Sequence, residues 1–213
     1  EHFYKEALRS YQDMHNNYFP ELEAASRDFK QEFSIRGTLP YTVAFLEDQL
    51  LELYGIRVDR DQLPQQKQLA GIRSFFHHEK KILFLQHGLA EAQENFLLAR
   101  ELGFQYLQLG ERPYETTILQ IDSFEQLLNN YKASHFAAAL LMDEEELARD
   151  LRQIARNNTW HAKLLLDLLR KYQVTAEMLL QRLTNILPHH FGLEDLFFIR
   201  LTGSEDLKSF TMT

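Results

Sequence analysis

Two long apolar stripes at helical spacing constrain this chain more than any other feature. Ala92, Phe96, Ala99, Gly103 and Tyr106 recur every three or four residues, with Leu98, Leu102 and Leu109 beside them. Phe124, Leu128, Tyr131, His135, Ala138 and Met142 repeat the pattern further on. Arcs this wide belong to helices covered on more than one side, so both stripes are predicted to sit in a core. With 8 Gly and 5 Pro among 213 residues, the chain is also short of the turn residues that an all-β fold needs.

The flanking segments follow the same period. Tyr4, Leu8 and Tyr11 mark a first helix, interrupted at Asn16-Asn17 and Pro20. Leu22–Phe33 reads as a second, stopped near Gly37. Pro40 is placed at the first position of a third, with Val43, Leu46, Leu50, Leu53 and Tyr54 on one face and Gly55 ending it. The character then changes. Ile56-Arg57-Val58 alternates, and Ala70–Phe76 and Lys81–Leu85 are short apolar runs around a turn at His77–Lys80, the pattern of a small antiparallel sheet with a hairpin. Beyond the two long helices, Asp143 with Glu146 predicts a capped helix start. Ala162–Tyr172 and Ala176–Leu187 complete the helices, the latter capped by Thr175 and stopped by Pro188. Leu196–Leu201 is expected as a last strand, with Thr202–Thr213 as a polar tail. The fold class is α+β, mostly helical, with a small sheet packed against helices.

Charge narrows the function. Lys+Arg is 23 against 31 Asp+Glu, a formal charge of −8 that repels nucleic acid phosphates. Zero cysteines remove disulfides, thiolate catalysis and Cys-based zinc knuckles, in keeping with a cytoplasmic protein. The longest unbroken apolar run, Phe136–Met142, is far below the roughly 18 to 20 residues of a membrane span, so no membrane role is expected. The chain opens on Glu1-His2-Phe3, without a secretory pattern and without Met, as a piece of something longer would.

The histidines, 9 in all, call for a metal test. His77-His78 and His189-His190 are adjacent pairs whose side chains point apart on regular backbone, and both lie by turn signals, so they read as solvated loop residues. His135 lies on an apolar stripe, where a hydrogen-bonded core histidine is favoured over a ligand contact. No His-x-x-x-His pair, phosphate-binding glycine loop or nucleophile elbow occurs, and Asp143–Glu146 is a solvated helix start favoured by the helix dipole.

Four short segments nevertheless carry a family resemblance. Asn95–Tyr106, NFLLARELGFQY, resembles the zinc-binding helix of the ImmA/IrrE family, which reads roughly F-x-L-A-H-E-L-G-H. Asn130–Met142, NYKASHFAAALLM, resembles its second motif, E-A-N-x-F-A-x-x-L-L-M-P. The preceding hairpin fits in order, as does Val174–Leu183, VTAEMLLQRL, against V-S-x-E-x-x-x-x-R-L. The resemblance covers roughly Pro40 to Leu201 and implies a degenerate zincin-like fold.

The departures matter more than the matches. In zinc-binding members two helix-borne histidines and a downstream Glu hold the ion, and the Glu beside the first histidine acts as general base. Carried over by position, the histidines become Arg100 and Phe104, the base survives as Glu101, and the third ligand falls at Lys132. A guanidinium, a phenyl ring and an ammonium offer no lone pair to a metal. The resemblance therefore implies no catalysis, no metal and no cofactor. It points instead to the sensor part of a bacterial regulator of the Xre, helix-turn-helix, type, of the short-chain fatty acid and acyl-CoA responsive kind. DNA would be reached only through an N-terminal module missing here.

Exchanging an ion for Arg100 and Lys132 suggests two uses. The cations can replace the metal as glue, paired with Glu101. They can also receive a small anionic ligand, a short-chain acyl-CoA or carboxylic acid, with Phe104 as an apolar wall and His135, one turn from Lys132, alongside. The expected organisation is 1–37 as a helical linker and dimerisation segment, 38–201 as the sensor domain and 202–213 as a tail, in a homodimer. The alternatives are a hydrolase or repressor-cleaving protease using Glu101, and a purely structural dimerisation module.

Overall fold

The computed structural model describes residues 2–35, 39–63, 72–112, 123–157, 159, 161–193, 201–203 and 210–212. The stripe at 91–106 forms helix α4 (Glu91–Tyr106) and the stripe at 124–141 forms α5 (Phe124–Leu141). They pack directly on each other, and Gly103 lets them do so. A Cβ there would lie 2.9 Å from Phe136 Cδ1 and 3.1 Å from the Ala133 carbonyl oxygen. Leu98, Ala99, Leu102, Phe136 and Ala137 are fully buried around this crossing.

Helix α3 (Val43–Tyr54) packs on α4 and on the first strand of a three-stranded sheet. Thr42 caps α3, accepting from the Phe45 amide at 3.2 Å, and Gly55 ends it in the left-handed conformation that glycine adopts without strain. Pro40 therefore lies ahead of the helix, not at its first position; its peptide bond to Leu39 is cis. Strands β1 (Arg57–Asp59), β2 (Ser74–His77) and β3 (Ile82–Leu85) stand in the order β1-β3-β2. The hairpin β2–β3 is antiparallel as expected, but β1 runs parallel to β3. The sheet is thus mixed, because a long connection separates β1 from its partner.

Helices α1 (His2–Met14) and α2 (Pro20–Glu32), in the segment expected as a linker and dimerisation element, pack on α5. Phe19 and Phe29 are fully buried, and Phe29 meets Phe136 edge to face at 5.6 Å. Tyr4, Leu8 and Tyr11 are half-buried in this chain, Tyr11 stacked on Phe19 at 5.4 Å. One core joins α2 to the rest, because Phe29 packs on Tyr106 of α4 and Phe136 of α5.

The C-terminal half adds α6 (Glu144–Ala155), α7 (Ala162–Tyr172) and α8 (Ala176–Phe191). Asp143 and Thr175 cap α6 and α8 as expected. Pro188 does not stop α8, which runs on to a left-handed Gly192. An interior proline costs the helix a hydrogen bond. Burial of Asn185 and Ile186 in the turn before it, and the His190–Glu144 contact after it, hold the last turn in place. Finally, β4 (Leu201–Gly203) and β5 (Phe210–Met212) pair antiparallel, where a polar tail was expected. The remainder of the expected 196–201 strand lies outside the described residues.

Candidate functional site

The three α4 residues singled out in the sequence come together with a fourth that was not. Arg100 Nη2 donates to Ser74 Oγ on β2 at 3.0 Å. Burial draws its guanidinium down to about 10, with Glu101 opposing and a second cation, Arg112, adding to the shift. It remains charged near neutrality.

Glu101 is buried, and its carboxylate is spent. Oε1 accepts from Gln105 Nε2 at 2.7 Å, one turn along α4, and both oxygens accept from Arg112 Nη1 at 3.0 Å. The Arg112 guanidinium lies between two rings, 4.1 Å from the centroid of Phe76 and 4.8 Å from that of Phe104. Phe104, expected as the apolar wall of a ligand pocket, here lies against this arginine. The other terminal nitrogen of Arg112, Nη2, is buried and has no hydrogen-bond partner among the described residues. Glu111, the preceding residue, is held to α5 through its carbonyl, which accepts from Asn129 Nδ2 at 2.8 Å.

Lys132 lies one turn beyond Asn129 on α5. It is half-buried and makes no hydrogen bond or ion pair among the described residues.

A metal does not fit here. Arg100 and Phe104 bring no lone pair, and both oxygens of Glu101 are held by a cation. Among the described residues no group of three or more His, Cys, Asp or Glu side chains could hold an ion. The histidine pair at 189–190, expected in a loop, lies in the last turn of α8. His189 stacks flat on Tyr18 at 3.9 Å, and half-buried His190 has its Nε2 3.5 Å from Glu144 Oε2.

His135 belongs to a different cluster. Its Nε2 donates to Glu23 Oε1 at 2.8 Å, and the same carboxylate receives Arg182 from α8. Arg182 Nη2 donates to Oε2 at 2.7 Å, Nη1 to Oε1, and Nε to the Met142 carbonyl at 3.2 Å. All three side chains are buried. Burial alone raises the Glu23 carboxyl, but bonds from Arg182 and His135 outweigh it and hold it at about 2. Burial lowers the His135 imidazole, with Glu23 opposing, so the ring is neutral and donates from Nε2.

A histidine depressed in the fold takes up its proton more readily when unfolded. Its contribution is complete above the unfolded value near 6.5 and declines as pH falls below it. Urea midpoints taken between pH 7.5 and 5.5 should therefore fall more steeply for wild type than for His135→Gln, whose amide can still donate to Glu23. Equal slopes would show that His135 carries none of this dependence.

The profile of the family described as Peptidase_M78, IrrE N-terminal-like domain, matches residues 52–184, more than half of the chain. The solved structure of a Mycobacterium tuberculosis transcriptional regulator superposes with a TM-score of 0.68 at 20% identity, over 98% of this chain and 60% of that one. The chain thus spans about three fifths of that protein's length, and at that identity the likeness concerns the fold. No curated protein matches the sequence.

Proposed function

Because the chain belongs to the IrrE N-terminal-like domain family, we propose that it is the non-catalytic, ligand-sensing part of a bacterial transcription regulator. Its ligand is a small anion, a short-chain carboxylic acid or its acyl-CoA. DNA is contacted by another module, a helix-turn-helix of the Xre type, in a homodimer whose symmetry matches a palindromic operator. The fold likeness to a transcriptional regulator and the net charge of −8 support this division of labour. So does the absence, among the described residues, of any helix long and apolar enough to cross a membrane.

One observation carries the reading. At the position where zinc-binding relatives hold an ion, two guanidiniums face a single carboxylate, and Arg112 Nη2 has no hydrogen-bond partner among the described residues. An unpaired buried donor on a cation is costly, and an incoming oxyanion would relieve it. Lys132 adds a further positive charge on the α5 side. Glu101, locked by Arg112, has no free oxygen to act as a base.

Purified protein should contain no stoichiometric zinc and cleave no peptide. Butyryl-CoA or butyrate should raise its melting temperature by several degrees, and Arg112→Ala or Arg100→Ala should abolish the rise. Stoichiometric zinc with peptidase activity would restore the hydrolase reading. A rise unchanged in both arginine variants would remove the anion site.

A further inference from the structure

A cavity of about 220 Å³ opens between α1, α4, α5 and α8, and neither Arg100 nor Arg112 lines it. His135 and Arg182 form part of its wall, and their charges are already settled. Every nitrogen of Arg182 donates, to the two Glu23 oxygens and to the Met142 carbonyl. Glu23 is balanced by Arg182, and His135 spends Nε2 on it. No other ionisable side chain in the Asp, Glu, Lys, Arg or His classes lines the cavity among the described residues.

The remaining lining splits into two kinds. Asn17, Thr184 and Asn185 are occupied with each other: Asn17 Nδ2 donates to Thr184 Oγ1 at 2.8 Å, and Asn185 Nδ2 to the Asn17 carbonyl at 2.7 Å. Half-buried Ser134 and, at the solvent-exposed rim, Gln181 line the same space, and their side chains have no hydrogen-bond partner among the described residues. Phe96, Ala138 and Met178 supply apolar wall.

We infer that this cavity binds a small uncharged molecule bearing a carboxamide or hydroxyl on a short apolar chain. Ser134 and Gln181 offer it a hydroxyl and an amide, and Phe96, Ala138 and Met178 take its chain. An ion would be excluded, because no countercharge is left to offset its desolvation. At roughly 30 Å³ of liquid per water, the volume equals about seven waters, which sets the size of the occupant. Gln12 and Asn17 bring α1 and the α1–α2 turn into the wall, so an occupant touches the N-terminal helices and α8 together. This site is separate from the anion site proposed above and does not depend on it.

Hexanamide, hexanoate and hexylammonium share one chain and differ in charge. Titrated into isotope-labelled protein, hexanamide should give saturable amide shifts at 134–138 and 181–185, with the two ions giving none there. Ala138→Phe, which fills the cavity, should abolish the shifts, and Ser134→Ala should weaken binding at least threefold. The inference is overturned if no probe saturates, if either ion does so as well as hexanamide, or if Ser134→Ala binds like wild type. Hexanoate shifts confined to Arg100 and Arg112, without a hexanamide response, would sink this inference and leave the anion site standing. Hexanamide binding with α4 silent to every anion would do the reverse.

Discussion

Glu23→Ala should destabilise the protein by about 3–5 kcal/mol, because it leaves the Arg182 guanidinium buried and uncompensated. Arg182 is 1% exposed, so water cannot take the place of the carboxylate. Three of its donors lose or keep partners unequally: Nη1 and Nη2 are orphaned, and only Nε retains the Met142 carbonyl. Removing both charges is a different experiment. Glu23→Leu with Arg182→Met replaces the pair by apolar groups and should recover most of the loss. Equilibrium urea unfolding of the single and double variants gives the comparison, and a Glu23→Ala midpoint equal to wild type would refute the assignment. The same carboxylate predicts an acid limb. Its folded pKa of about 2 lies below the ordinary value of 4.5. A depressed carboxyl stabilises fully above the unfolded value and loses that contribution as pH falls through the folded one. The loss between about pH 4.5 and 2 is on the order of 3 kcal/mol and should vanish in the double variant.

That network also marks where reading the sequence stops. Asp143, Thr175 and Gly55 are legible as helix ends because a cap acts within three or four residues of itself. The stripes of α4 and α5 are legible because burial imposes their period. Pro188 is misread for the opposite reason, since what carries α8 past it is packing against distant parts of the chain. The parallel pairing of β1 with β3 is invisible for the same cause. Among site residues, Arg100, Glu101 and Phe104 follow from the helix motif, and the structure does gather them. Arg112 does not follow: it stands 11 residues past Glu101, beyond the helix, with no local pattern to announce it. His135 was set beside Lys132 by helical spacing, yet its partner is 112 residues away on α2. One signal was available. Arg182 interrupts the apolar series Leu179, Leu183, Ile186 on α8, and an arginine in such a place asks for a buried carboxylate.

Gly103→Leu should cost more than about 3 kcal/mol, and Gly103→Ala about 1–3 kcal/mol, despite the helix propensity that alanine adds. Alanine gains roughly 1 kcal/mol over glycine in a free helix, so the close contact must outweigh that gain. It does so because neither neighbour can retreat. One is the ring of Phe136, fully buried and packed edge to face on Phe29; the other is the α5 backbone at Ala133, whose Cα is 3.3 Å from the added carbon. The helices would have to separate, and that motion reaches the site. Arg100 and Glu101 lie within one turn of this contact on α4, and Lys132 precedes Ala133 on α5, so spreading the helices displaces these residues. A cycle with Phe136→Leu separates ring from backbone. In that background the penalty of Gly103→Ala should shrink by about 1 kcal/mol without disappearing, since the Ala133 carbonyl remains. Gly103→Ala at or above wild-type stability in urea would show that α4 and α5 are not held this closely. A full penalty retained beside Phe136→Leu would assign the contact to the backbone alone.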